Sequence, residues 1–255
     1  MTTRMRSSLV GATPARTVVT HGTTAAGVSH HVGKGDAMRE SFHADLAELR
    51  ALLAKMCERA ATAMRQATEA LLSADLDAAR SVLAADAELD SMRDQCEERA
   101  QQMLALQAPV ATDLRVVLSA IYCAEKIERM GDLAEHIANT TCRVHPAHVV
   151  PDELRDTFGR LGAITADMAT KLVTHVTDPC AGAFAELDAT DRTVDELHAK
   201  VLATITANTA TYDVPTATTL ALVARFYERY ADQAVSTAKR VEFVSTGTTP
   251  THRTT

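Results

Sequence analysis

The 255-residue sequence has no tryptophan, and aromatic residues make up only 4% of it. Sheet proteins depend on aromatic and β-branched side chains, whereas the alanine, leucine, methionine, glutamate and arginine that dominate this chain favour helices. No apolar run reaches the roughly 18 residues that cross a bilayer, and the first residues lack the apolar stretch of a signal peptide. We therefore expect an all-α protein that stays in the cytoplasm, with no direct membrane insertion.

The five cysteines form no CxxC pair and no zinc-type array with histidine. An odd number of scattered cysteines in a reducing compartment is typical of small buried apolar side chains rather than of disulfides. We predict this role for Cys57, Cys96, Cys123, Cys142 and Cys180.

The formal net charge is −7, but positions 1–37 hold four basic side chains and one acidic one, so the region after residue 37 carries a net −10 (−7 − 3). An acidic body repels phosphate backbones and anionic lipid headgroups. We expect no nucleic-acid partner, and cations, metal ions included, are the more suitable ligands.

Apolar residues recur every three or four positions from Phe42 to Ala67, which is the period of a long helix in a left-handed bundle. That helix should end near Ser73. Caps and helix breakers then delimit five more helices. The second is capped by Asp75 and ends before Pro109, the third is capped by Thr112 and ends before Pro146, the fourth opens at Pro151, the fifth at Asp178 and Pro179, and the sixth at Pro215.

These helices divide the chain into two triplets between two tails. We predict a disordered N-terminal tail over residues 1–37, which are rich in glycine, serine and threonine, with Met38 as an alternative start of translation. The first three-helix bundle should cover residues 38–146 and the second residues 151–244. Residues 245–255 are rich in threonine and should form a disordered C-terminal tail.

Pairs of acidic residues four positions apart recur in both triplets, and this spacing places each pair on one face of its helix. The second and fifth helices carry aspartate pairs, and the third and sixth carry Glu-Arg-x-Gly/Ala-Asp segments. The pairs are Asp86 and Asp90, Glu128 and Asp132, Asp191 and Asp195, and Glu228 and Asp232. The two halves are therefore an internal repeat, and a hairpin turn can bring the two pairs of each half side by side.

Like charges at this spacing destabilise a helix, so four such pairs indicate a use. Clustered carboxylates are hard oxygen ligands that suit iron, manganese, magnesium or calcium. Two other interpretations remain open: the pairs are solvated faces, or Arg129 and Arg229 neutralise them through ion pairs.

Here the sequence resembles the PhoU family over about residues 38 to 244. The resemblance rests on Met38-Arg39 at the start of the first helix, on Leu106-Gln107-Ala108-Pro109 followed by Asp113-Leu114-Arg115, and on the twin Glu-Arg segments. It implies two tandem three-helix bundles, with a metal or a metal cluster held by the eight carboxylates in some members. The sequence departs from the family pattern at His136, Ser236 and Gln233.

The resemblance also implies a role without catalysis. It implies a homodimer that links the ATPase subunit of a Pst-type phosphate transporter to the membrane histidine kinase of the phosphate response. Such a protein represses phosphate uptake and the phosphate-starvation response. No nucleophile with a base and no phosphate-cradling glycine loop occurs in the sequence, so we predict that the protein is not an enzyme.

Two alternatives belong to other classes. A purely structural helical dimerisation module requires only the apolar stripes, and it predicts that the acidic pairs are scattered and solvated. A ferritin-like di-iron protein requires two Glu-x-x-His pairs on separate helices, but only Glu40 and His43 have that spacing.

Overall fold

The structure, a computed structural model, describes residues 34–207 and 211–251, with side chains from position 39 onward. Six helices form nearly all of this part of the chain, and no strand occurs within it. They are α1 (Lys34–Ser73), α2 (Leu76–Gln107), α3 (Ala111–Val144), α4 (Asp152–Thr177), α5 (Ala183–Ala207) and α6 (Val214–Thr246). The all-α prediction is confirmed.

Local cap chemistry explains several of these ends. The Asp75 carboxylate accepts hydrogen bonds from two backbone N–H groups at the start of α2, both at 2.9 Å, as predicted. At α6, Pro215 lies in the first turn and Asp213 is the cap. The predicted cap of α3 is wrong, because Val110 occupies that position and Thr112 lies inside the helix.

The start of α5 also differs from its prediction. Asp178 does not open α5 but ends α4, its N–H donating to the carbonyl of Thr174 at 2.9 Å. Residue Gly182, with φ of 99°, precedes the helix. The carboxylate of Glu242 in α6 accepts from the N–H groups of Gly182 and Phe184 at 3.1 and 3.0 Å. A side chain about 60 positions away therefore caps α5.

The tail predictions fall mostly on residues 1–33 and 252–255, which lie outside the described residues. At the edges, α1 begins at Lys34, four residues before Met38, and α6 continues to Thr246. Three of the cysteines are buried as predicted, but Cys142 is only half-buried. Cys180 is exposed because it lies in the α4–α5 connection rather than on a helix face.

The helices pack as two three-helix bundles, α1–α3 and α4–α6. The bundles join along two helix pairs, α1 on α4 and α3 on α6. The α1–α4 pair is antiparallel, since the Arg65 guanidinium donates to the Thr170 hydroxyl at 2.6 Å while Thr68 lies against Gly162. The α3–α6 pair is antiparallel too, since the Arg240 guanidinium lies over the Tyr122 ring while His136 lies against Phe226. The ring centroids of His136 and Phe226 are 5.3 Å apart there.

Glycine at position 162 permits the close approach of α1 and α4. A Cβ at this position would lie 2.3 Å from Oγ1 and 2.7 Å from Cβ of Thr68. The Thr68 hydroxyl also shares a hydrogen bond of 3.0 Å with the hydroxyl of the buried Tyr227, whose ring packs edge-on against Phe158. One small residue, one hydroxyl pair and one aromatic pair thus connect α1, α4 and α6.

None of the six helices is both long and apolar enough to cross a membrane, a finding that covers the described residues alone.

Candidate functional site

The predicted acidic pairs meet in two clusters, one in each bundle. We call Asp86, Asp90, Glu128 and Asp132 the first acidic cluster, and Asp191, Asp195, Glu228 and Asp232 the second acidic cluster. Because α2 packs on α3 and α5 on α6, the two pairs of each bundle face one another across a helix pair. Their mutual effects on carboxyl pKa values show this proximity.

Gly131 brings α3 close to α2 beside the first acidic cluster. A Cβ on it would lie 2.3 Å from Leu89 Cδ2 and 3.5 Å from Asp86 Oδ1. The repeat places Ala231 and Val194 at the equivalent positions of the second bundle. Compared with the first bundle, the second has the larger Ala231 in place of glycine and the smaller Val194 in place of leucine. The two changes offset one another, so both bundles keep the two acidic faces close.

The first acidic cluster holds carboxylates whose charge is disfavoured. Burial, followed by the charges of Glu135 and Asp132, raises the pKa of Asp86 to about 6. Burial and the charge of Asp132 raise the pKa of Glu128 to about 7, although Arg93 opposes the shift. The Glu128 side chain is only 19% exposed. These are confined acids rather than a freely solvated face.

The second acidic cluster is more strongly perturbed at one position. Burial, together with the charges of Asp195 and Asp232, raises the pKa of Asp191 to about 7. Burial also raises the pKa of Glu228 and of Asp232. One oxygen of Asp191 and one of Glu228 are buried without a hydrogen-bond partner. Unpaired buried acceptors of this kind are costly and favour a cationic ligand or a proton.

Arginines compensate part of this charge. Arg129 pairs with Asp132 at 2.7 Å, as one of the open interpretations expected. Arg229 forms no ion pair with a described residue, although its charge lowers the pKa of Asp232. The other counter-charges are Arg93, 3.9 Å from Glu128, and Arg225, which pairs with Glu228. The first acidic cluster thus takes its arginines from α2 and α3, whereas Arg225 of the second acidic cluster lies on α6.

Sequence reasoning missed five participants that the helical period places on the same faces. Arg93 follows Asp90 by three positions, and Arg225 precedes Glu228 by three. The others are Glu135 and His136, which act on Asp86, and Asp188, which acts on Asp191. A window one turn wider on each side of the acidic pairs contains all five, among other charged side chains at similar spacing.

The donor chemistry of both clusters fits a hard cation, since every predicted ligand atom is a carboxylate oxygen. The two unpartnered oxygens of Asp191 and Glu228 fit it as well. Among the described residues, however, no three histidine, cysteine or carboxylate side chains are grouped as a metal site in this conformation. The arginine pairs at Asp132 and Glu228 already engage two of the eight carboxylates.

The Glu-x-x-His segment of the di-iron alternative lies apart from these clusters. Glu40 and His43 are both exposed near the start of α1. Neither is among the groups that shift the pKa of Asp86, Glu128 or Asp191.

The fold and its clusters define a class: a helical protein of two repeated three-helix bundles, each with a confined acidic face. A family model described as the PhoU domain matches the chain twice, over residues 53–141 and 158–241. The chain belongs to the PhoU family.

Relatives and solved structures agree with this assignment. The chain is 39% identical to the "Phosphate-specific transport system accessory protein PhoU homolog 1" of Mycobacterium leprae, a match that covers 84% of this chain and 96% of the relative. It is 38% identical to the homolog 2 of Mycobacterium tuberculosis, over 84% and 100% of the two chains.

The crystal structure of PhoU from Streptococcus pneumoniae superposes with a TM-score of 0.74 at 21% identity, over 82% of this chain and 99% of that one. This likeness shows the fold alone.

Proposed function

We propose that this protein is an accessory regulator of phosphate transport that acts through protein contacts rather than catalysis. In this proposal it is a cytoplasmic homodimer that links the ATPase subunit of a phosphate transporter to a membrane histidine kinase. It lowers phosphate uptake and holds the starvation response off when phosphate is plentiful. Family membership and the names of relatives 38–39% identical over 84% of the chain carry the proposal.

Exposed apolar side chains at the helix turns support a role in protein contacts. Leu106 and Val110, at the α2–α3 turn, are 79% and 74% exposed, and Val214, at the α5–α6 turn, is 78% exposed. Large apolar side chains this exposed bury little surface within the fold and suit a partner's surface.

We also propose that the two acidic clusters take up a multivalent cation: iron, manganese, magnesium or calcium. The eight carboxylates would hold it, and the cation would neutralise charge that burial and mutual repulsion now disfavour. The second acidic cluster should bind more tightly, because it contains the two unpartnered oxygens.

The regulatory role is tested by deletion and complementation in cells grown with ample phosphate. Deletion should induce phosphatase and high-affinity transporter expression, provided that any second family member is removed as well. The wild-type gene should restore repression, and Glu128→Ala/Asp132→Ala should restore it only in part. The variant should stay folded, because alanine favours helix and one like-charge pair disappears. Uninduced expression after deletion would overturn the regulatory role, whereas full rescue by the variant would overturn only the site.

Metal binding is tested by thermal unfolding with and without each cation after treatment with chelator. Saturation at about 100 times the dissociation constant should raise the melting temperature by about 5 to 10 °C. Asp191→Asn/Glu228→Gln should abolish most of this shift, and Asp86→Asn/Glu128→Gln should abolish less. Asp156→Asn, an exposed acid on α4, is the control and should leave it intact. An unchanged melting temperature with every cation would contradict the proposal.

A further inference from the structure

A groove of about 320 Å³ lies between α3 and α6, away from the acidic clusters. Two α3 side chains and several from α6 line it. We call it the cationic groove and define it by Tyr122, Lys126, Ser236, Lys239, Arg240 and Phe243. Its volume is at the lower end of the range for small-ligand pockets, about 300–1,000 Å³.

Three basic side chains line this groove in a protein of net charge −7. The nearest acids leave most of that charge uncompensated. Glu125 lies 3.6 Å from the Lys126 ammonium, whereas the Glu242 carboxylate is engaged by the N–H groups at the start of α5. Within the described residues, Lys239 and Arg240 have no carboxylate partner within 4.0 Å. The groove is therefore a local positive patch on an acidic molecule.

Aromatic rings hold the basic groups in place. The Arg240 guanidinium carbon lies 4.4 Å from the ring centroid of Tyr122 and 5.8 Å from that of Phe243. The Lys239 ammonium lies 5.7 Å from the ring centroid of Phe184. A guanidinium stacked on rings keeps its N–H edge free, and its orientation is fixed before a ligand arrives. Such pre-organisation lowers the entropic cost of binding.

The internal repeat supplies a comparison within the same molecule. A second groove of about 250 Å³ lies at the equivalent place of the α3–α6 contact, and its lining is largely apolar and neutral. Thr140, Leu222 and Phe226 stand there where the cationic groove has Arg240, Tyr122 and Lys126. The fold does not require three basic side chains here, since Arg143 is the one basic residue that lines the related groove. The basic side chains of the cationic groove thus need another explanation.

We propose that the cationic groove binds a small phosphate-bearing anion, either inorganic or part of a nucleotide. A forked guanidinium, two ammonium groups and the Ser236 hydroxyl are donors that match the several oxygens of a phosphate group. The Tyr122 side chain, 48% exposed, offers a surface on which a base can stack. This inference rests on the groove alone and does not depend on the proposed regulatory role.

Titration calorimetry of the full chain with orthophosphate, pyrophosphate and ATP tests the proposal and separates the two sources. Binding should be saturable, and Lys239→Gln/Arg240→Gln should weaken it by about tenfold or more. Arg143→Gln, in the related groove, removes one positive charge as well and should leave the affinity unchanged. Tyr122→Leu, which copies the related groove, should weaken ATP binding but not orthophosphate binding if the natural ligand is a nucleotide.

Lys126→Gln/Lys239→Gln is the second variant, because it leaves the stacked Arg240 in place and should also weaken binding. Circular dichroism establishes that each variant is folded. The proposal would be overturned by no saturable binding at millimolar ligand, by an equal loss with Arg143→Gln, or by equal binding of sulfate at the same ionic strength. Binding of an acidic peptide, with no binding of orthophosphate, pyrophosphate or ATP, would overturn it too.

Discussion

Replacement of Gly162 by alanine should destabilise the protein, although the same change in an ordinary helix interior stabilises it by about 1 kcal/mol. The new Cβ would lie 2.3 to 2.7 Å from three atoms of Thr68. One of these is the Thr68 Cβ, which is fixed to the α1 backbone, so the two helices must separate. Overpacking of this kind costs about 1–3 kcal/mol, and disturbance of the Thr68–Tyr227 hydrogen bond adds about 1 kcal/mol.

The net loss should be about 2 kcal/mol, or a melting temperature about 4–8 °C lower. Gly159→Ala is the matched control, since it lies one turn earlier on α4 and its Cβ would meet only Leu72 Cδ1 at 3.6 Å. That variant should melt about 2–4 °C higher. Thr68→Ala removes two of the three obstructing atoms, so in that background Gly162→Ala should cost at least about 1 kcal/mol less. Equal stabilisation by both glycine replacements would show that α1 and α4 are not in close contact.

Three further predictions concern the cap, the acids and the thiols. Glu242→Gln should lower the free energy of unfolding by about 1 kcal/mol in urea titrations, because the charged cap of α5 is lost; an unchanged midpoint would contradict this. The pKa of Asp191 is raised to about 7 in the folded protein from its ordinary 3.8. The unfolded chain therefore loses this proton at lower pH than the folded protein, so the free energy of unfolding falls as the pH rises between these two values. Asp191→Asn should therefore raise the melting temperature more at about pH 8 than at about pH 5, and a pH-independent effect would refute the assignment. Cys180 should react first with a thiol reagent in the native protein, and Cys180→Ser should remove that phase. The buried Cys57, Cys96 and Cys123 should react only on unfolding.

Elements with a local cause were predictable from the sequence. Asp75 caps α2 through its own neighbours, and Pro215 fits the first turn of α6 because proline lacks an N–H there. The position of the acidic pairs on facing helices followed from helical spacing and from the internal repeat. Both kinds of inference depend on residues within one or two turns of each other.

Features that depend on tertiary contact were not predictable. The prediction of where α5 starts was wrong because the carboxylate that caps this helix belongs to Glu242 of α6, a residue that no local pattern indicates. The counter-charges Arg93 and Arg225 were missed because each had to be chosen among several arginines with suitable spacing. Exposure of Cys180 depends on the length of the α4–α5 connection. The eight carboxylates remain predicted metal ligands.

The pairing of α1 with α4 and of α3 with α6 is the arrangement that a two-fold axis between the two halves of one chain produces. Each of these four helices packs antiparallel on its own repeat, as identical surfaces do in an isologous dimer. A single bundle of this kind would bury the same faces against a second copy of itself. The chain thus contains, as its interior, the kind of surface that an isologous dimer places at its subunit interface. Because the two halves belong to one chain, their sequences can differ, so a groove with three basic side chains on one side of the axis and a mostly apolar and neutral groove on the other are compatible with a single fold.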